Sequence, residues 1–178
     1  MRIKSSSDRY GAVAIIIHWL TAILIIGLII AGFRASGMTD LEAKADLLRL
    51  HAPGGMAVLA LTLGRIAWWW FADKKPDEVA GVPPMQALAA RWVHRLLYVA
   101  VIGLGLSGVA LLLLSGANLI LFGDAPGPLP DFWDFAPRYG HAVFARALVA
   151  LLVLHVGAAL YHQFIRKDRL FARMGIGK

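Results

Sequence analysis

Polar residues are scarce along this chain and fall in short clusters, which leaves four long apolar stretches at residues 11–33, 52–71, 93–114 and 142–165. Each holds about 20 mostly apolar residues, enough to cross a bilayer as a helix. Apolar side chains cover every face of each stretch, so periodicity singles out no side. No two-residue alternation points to strands, and a closed barrel needs more segments than these. The pattern predicts an all-α protein, a transmembrane four-helix bundle forming one domain over residues 1–178. The first stretch exceeds the apolar core of a secretory signal, about 7–15 residues, and is read as a spanning helix. Residues 72–90 read as a Pro-containing linker. Residues 115–140 are rich in Gly and Pro and long enough to cap one end.

Composition agrees and narrows the class. Of 178 residues, 59% are hydrophobic and only 16% charged, against about 25% charged in soluble domains. An ordinary soluble enzyme, a disordered tail and a nucleic-acid binder are excluded, and membrane lipid is the expected surroundings. There is no Cys. Disulfides, Cys-held iron–sulfur clusters and covalent c-type haem are therefore excluded.

The net charge is +7, and its distribution orients the bundle. Residues 1–10 hold three Lys or Arg, residues 72–95 hold four and residues 166–178 hold five. All these lie on one side of the membrane, and the opposite loops hold four: Arg34, Lys44, Arg49 and Arg138. Basic loops face the cytoplasm, so a multi-pass protein with both termini cytoplasmic is expected. Trp68, Trp69 and Trp70 close the second stretch as an aromatic belt, with Tyr10, Trp92 and Trp133 near other interfaces.

Ionisable residues inside a bilayer are costly and mark functional sites. Every stretch carries His at or near it: His18, His51, His94, and His141, His155 and His162 with the fourth. His155 follows His141 by 14 residues, which is about 21 Å of helix and nearly four whole turns, so both share one face. His51 lies at the depth of His141, and His18 at the depth of His155. Two level pairs result, separated by most of the hydrocarbon thickness. Zinc and copper sites gather three or four ligands at one point, whereas separated pairs suit two stacked haems. A haem held by two His has no open position, which favours electron transfer. The competing reading is that each His hydrogen-bonds a neighbouring helix.

Arg65 lies 14 residues beyond His51 on the same face. It suits a haem propionate or snorkels to headgroups. Arg146 is also placed to snorkel. Arg49 and Arg138 flank His51 and His141 and read as propionate partners or loop charges. His94 and His162 lie near the cytoplasmic edge. Their spacing leaves three readings open: quinone contact with proton transfer, an interfacial polar residue, or a substitute haem ligand.

In these features the chain resembles the prokaryotic cytochrome b-561 family. The matching stretches are IIIHWL at His18, His51 with Gly55 and Arg65, WVHRLLY at His94, GHAVF at His141, and LHVGAALYHQFIRKD over 154–168. The likeness runs over nearly the whole chain. It extends to the b-type subunits of nickel hydrogenases and formate dehydrogenases. The resemblance implies two b haems on His18, His51, His141 and His155, and a ubiquinone site at His94 and His162. It implies the inner membrane of a bacterium. It also implies a superoxide:quinone oxidoreductase, fed by superoxide or a redox-protein donor. The outer loops carry four basic and six acidic residues, which lends an anionic donor little support. The alternative function is a haem-bearing anchor passing electrons for a partner dehydrogenase or hydrogenase. A metal-ion carrier is the third, and the lack of clustered acids in the spans weighs against it.

Overall fold

The computed structural model describes residues 2–78, 81–168 and 170–177. Arg169 and Lys178, which contribute to the basic flank, lie outside them. Four helices are long and apolar enough to cross a membrane. In chain order, α1 is Ala12–Gly37, α2 Leu41–Phe71, α3 Pro84–Leu114, α4 the short Ala117–Phe122, α5 Ala136–Tyr161 and α6 Leu170–Arg173. The architecture is the expected all-α bundle.

The long helices outrun the apolar stretches that predicted them. The α2 helix starts at Leu41 rather than 52, because Asp40 caps it and accepts from the N–H groups of Glu42 and Ala43 at 3.0 and 3.2 Å. Its first turns are helical but too polar to read as a span. Pro53 therefore sits inside the helix, where it removes one backbone donor. The α3 and α5 helices begin with Pro in their first turn, a position that needs no N–H donor. They start at 84 and 136, ahead of the expected 93 and 142. His51, His94 and His141 are consequently interior to their helices. The α5 helix passes into one π turn, His162–Arg166, which ends at Lys167 in the left-handed region (φ 58°).

The closely packed pairs are α3 with α5, α1 with α2, and α2 with α3. Their core comprises Ile25, Val58, Ala100, Val101 and Leu148. Gly103 and Gly105 let α3 approach its neighbours. A Cβ on Gly103 would lie 2.6 Å from the Phe144 ring, and one on Gly105 would lie 2.9 Å from Leu59. Outside, Ile16, Ile23, Ile26, Ile30, Val99 and Leu106 are exposed. Such an apolar surface suits lipid.

Both termini lie at one end of the bundle, here the near end. Asp73 accepts from the Ser5 N–H and hydroxyl, at 3.0 and 2.8 Å to Oδ2, and from Trp68 Nε1 at 3.2 Å. Arg173 donates to the carbonyls of Asp8 and Asp77 at 2.9 and 2.6 Å. The N-terminal segment, the linker after α2 and the C-terminal tail are thereby clasped together. At the far end, α4 and the following loop form a second apolar cluster of Ala45, Ala117, Leu121 and Leu129. This is the cap expected of residues 115–140.

Candidate functional site

The six His fall as two spaced pairs and two further residues. His51 on α2 and His141 on α5 have ring centres 6.3 Å apart, with planes at 67°. His18 on α1 and His155 on α5 have centres 6.2 Å apart, with planes at 70°. These are the two levels expected from depth alone. Neither α1 and α5 nor α2 and α5 pack closely among the described residues, so each pair faces across a gap between helices.

The spacing has a chemical reading. A metal ion binds an imidazole nitrogen at about 2 Å, and that nitrogen lies about 1.2 Å from its ring centre. Two imidazoles on opposite sides of one ion therefore have centres roughly 6.4 Å apart. Both pairs match that separation. His94 stands closer to His155, with ring centres at 5.0 Å and planes at 84°, too near for the two to flank one ion. Among the described residues no group of three His, Asp or Glu gathers around a single point.

Each pair is held between a further two helices. At the far level Gly32 of α1 and Gly108 of α3 stand against the imidazoles. A Cβ on Gly32 would lie 3.2 Å from His51 Cε1, and one on Gly108 would lie 3.3 Å from His141 Cε1. His51 Nδ1 is buried without a partner. His141 Nδ1 lies 3.2 Å from the Ser107 hydroxyl. At the near level Arg65 of α2 places Nη1 3.2 Å from His18 Nδ1, and its Nε is buried without a partner. His94 of α3 donates from Nδ1 to the Ala90 carbonyl at 2.6 Å.

The fit to haem is good on these observations. The donor set is two neutral imidazoles per level, the glycines clear room beside the far pair, and buried N–H groups remain for an added acceptor. Arg65 Nε could take a propionate carboxylate.

His162 has a different partner. Its Nδ1 lies 2.6 Å from Asp168 Oδ2, which the left-handed Lys167 turns back toward it. The contacts thus bring His94 beside His155 and tie His162 to Asp168. Of the flanking arginines, Arg49 is engaged with the Leu121 carbonyl and Asp46 at 3.0 and 2.7 Å. Arg138 lies over the Trp133 ring at 4.3 Å. Arg146 bonds its own helix at Ala142. The near end also holds a cleft of about 350 Å³ lined by Trp69, Lys75, Arg95 and Tyr98 among others. Burial, with Arg65 and Arg95 close by, holds the Lys75 ammonium below the usual lysine value.

Sequence reasoning missed Gly32, Ser107 and the Lys75–Arg95 cleft. One signal could have found Gly32. It lies 14 residues from His18, as His51 does from Arg65, His94 from Gly108 and His141 from His155. Each long helix contributes one residue to each level at that spacing.

Comparison with known proteins places the chain among membrane cytochromes. The family model for prokaryotic cytochrome b561 matches residues 9–177. Cytochrome b561 homolog 2 of Escherichia coli is 31% identical over 186 residues, covering 100% of this chain and 96% of that protein. The Yersinia pestis protein named "Probable superoxide oxidase CybB" is 28% identical, with 93% and 95% covered. Cytochrome b562 of Cereibacter sphaeroides is 29% identical, with 93% and 94% covered.

Proposed function

The chain belongs to the prokaryotic cytochrome b561 family, whose members carry b-type haem and transfer electrons in membranes, and from that premise we propose that it is a dihaem electron carrier delivering electrons to quinone. The observation that carries this reading is the matched ring spacing of the two His pairs, 6.3 and 6.2 Å. When bound, a b haem at each level supplies one-electron redox chemistry without an open coordination position. His51 and His141 hold the far level, and His18 and His155 the near one. Gly32 and Gly108 leave room beside the far pair. Arg65 keeps a guanidinium ready for a propionate.

The near end faces the cytoplasm on the charge distribution, in the inner membrane of a bacterium. Ubiquinone is taken up there. Its reduction consumes two electrons and two protons, and a neutral His at the site can pass a proton. His94 stands beside the near pair, and His162 shares its imidazole with Asp168, so both are placed to relay protons. The cleft of Trp69, Lys75, Arg95 and Tyr98 offers largely apolar walls with two cationic side chains among them. Superoxide is the proposed donor, in line with the name of the Yersinia relative. Each superoxide gives up one electron and leaves as dioxygen.

The purified protein should contain two b haems per chain with a low-spin spectrum. With superoxide as sole donor and no partner protein present, it should reduce ubiquinone. A folded preparation without haem overturns the reading. Haem reduction only when a partner dehydrogenase is added would favour the anchor function instead.

A further inference from the structure

The two His pairs share a spacing but not their surroundings. At the far level the Ser107 hydroxyl donates to the Gly103 carbonyl at 2.6 Å, and its oxygen lies 3.2 Å from His141 Nδ1. With its hydrogen committed, that oxygen accepts, so His141 donates Nδ1–H to it and keeps the Nε2 lone pair for a metal. Such a bond raises the electron-donating power of a ligand. At the near level the partner of His18 Nδ1 is the Arg65 guanidinium, at 3.2 Å. Arginine has donors only. Once His18 binds a metal through Nε2, its ring proton stands on Nδ1, and Arg65 offers that proton no acceptor. What remains is a permanent positive charge beside the ligand, in a setting where Arg65 makes no ion pair among the described residues. Lys75 and Arg95 add charge of the same sign at this end.

Reduction adds one electron to each level and forms or breaks no bond. A nearby cation favours the reduced state, and an acceptor on the ligand favours the oxidised one. Both effects act in one direction. We propose that Arg65 and Ser107 are positioning residues that make the near level easier to reduce than the far level, so that the chain itself sets the direction of electron flow. A haem carboxylate on Arg65 Nε would offset part of the field, and the measured shift reads what is left.

The inference rests on the two-haem reading, and its test separates the two. Haem content of the purified protein is measured first, then an equilibrium redox titration is followed at the haem absorption bands. Two haems with reduction equilibria at least tenfold apart are expected, equivalent to about 59 mV for a one-electron couple. The His51→Ala protein, keeping only the near level, assigns the higher wave. Arg65→Gln should make the near level harder to reduce by about tenfold, and Arg65→Lys should restore most of that. Ser107→Ala should make the far level easier to reduce and leave the near one unmoved. Two haems whose waves coincide, a near wave that ignores Arg65→Gln, or a far wave that moves the other way in Ser107→Ala each overturns the inference alone. Fewer than two haems in the wild-type chain overturns the two-haem reading, and the inference with it.

Discussion

The far and near levels are built on one plan with different fillings. Each takes one residue from each long helix. At the far level these are two His and two Gly: His51, His141, Gly32 and Gly108. At the near level the same four helices supply His18, Arg65, His94 and His155, so that Arg65 and His94 rather than two glycines stand around the His pair. The far pair is thus walled by glycine backbone, and the apolar cluster of Ala45, Ala117, Leu121 and Leu129 closes the same end of the bundle. The near pair is walled by a fixed charge and a group able to carry a proton. Electron transfer alone needs only the first kind of wall. Coupling electrons to protons needs the second, so the proposed quinone chemistry would belong to the near end, with the far end as a port for electrons.

The hardest test of that comparison removes the ligands. His51→Ala and His141→Ala should each abolish the far haem while sparing the near one, halving the haem-to-protein ratio read by absorbance. His18→Ala and His155→Ala should do the reverse. His94→Ala should keep both haems, since its ring lies only 5.0 Å from His155. Loss of a haem in that variant would make His94 a ligand and break the symmetry of the two levels. Next in size is turnover. If His94 handles the quinone's protons, His94→Ala should slow quinone reduction by about 100-fold while haem reduction by the donor stays fast, as stopped-flow absorbance would show.

A smaller effect sharpens the contrast in the walls. Gly108→Ala adds a Cβ 3.3 Å from the His141 ring. The ring must yield by a few tenths of an ångström, at a cost of about 1 kcal/mol. The far haem's absorption band should shift or its occupancy should drop slightly, with the near haem unchanged. A change confined to the near haem would reverse the assignment of levels.

Much of this plan was legible in the sequence, and its limits have physical causes. The four spans and the two His levels follow from apolar length and helical rise, which depend on nothing outside each helix. Helix starts did not follow, because Asp40, Pro84 and Pro137 begin helices in polar or loop-like stretches that hydropathy passes over. The partners of His94 and His162 were equally hidden. His155 and His162 do lie seven residues apart on one face, but the π turn and the left-handed Lys167 bring Asp168 onto His162, and local spacing carries no trace of that. That Gly32 and Gly108 occupy site positions becomes visible only when the 14-residue spacing is applied to every helix, including to residues with no side chain.

The two ends also differ in what holds them, and acid should tell them apart. The far cap is apolar and has no titrating group in its core. The near clasp turns on Asp73, which lies beyond the last residue of α2. Burial alone would raise its carboxyl, but the Ser5 hydroxyl and N–H, then the Lys74 N–H and Trp68 indole, outweigh burial and hold it below the ordinary 3.8. Asp8 is lowered as well, chiefly by the Ser6 hydroxyl. A carboxylate depressed in the folded state stabilises fully above its unfolded value, and that contribution fades as pH falls through the folded one. Lowering the pH from about 7 to about 3 should therefore reduce amide protection, measured against the intrinsic exchange rate at each pH, in residues 2–11 and 72–78 before it does so in residues 115–135. Asp73→Asn, which removes the charge but not the shape, should loosen the same segments already at neutral pH, by about 1 kcal/mol, and flatten their response to acid. If the far cap loosened first, the clasp would not depend on Asp73. The near end would then be held by bonds that do not titrate in this range, such as those from Arg9 and Arg173 to carbonyls, from Trp19 to the Met174 carbonyl and from the Asp77 N–H to the Ser7 carbonyl.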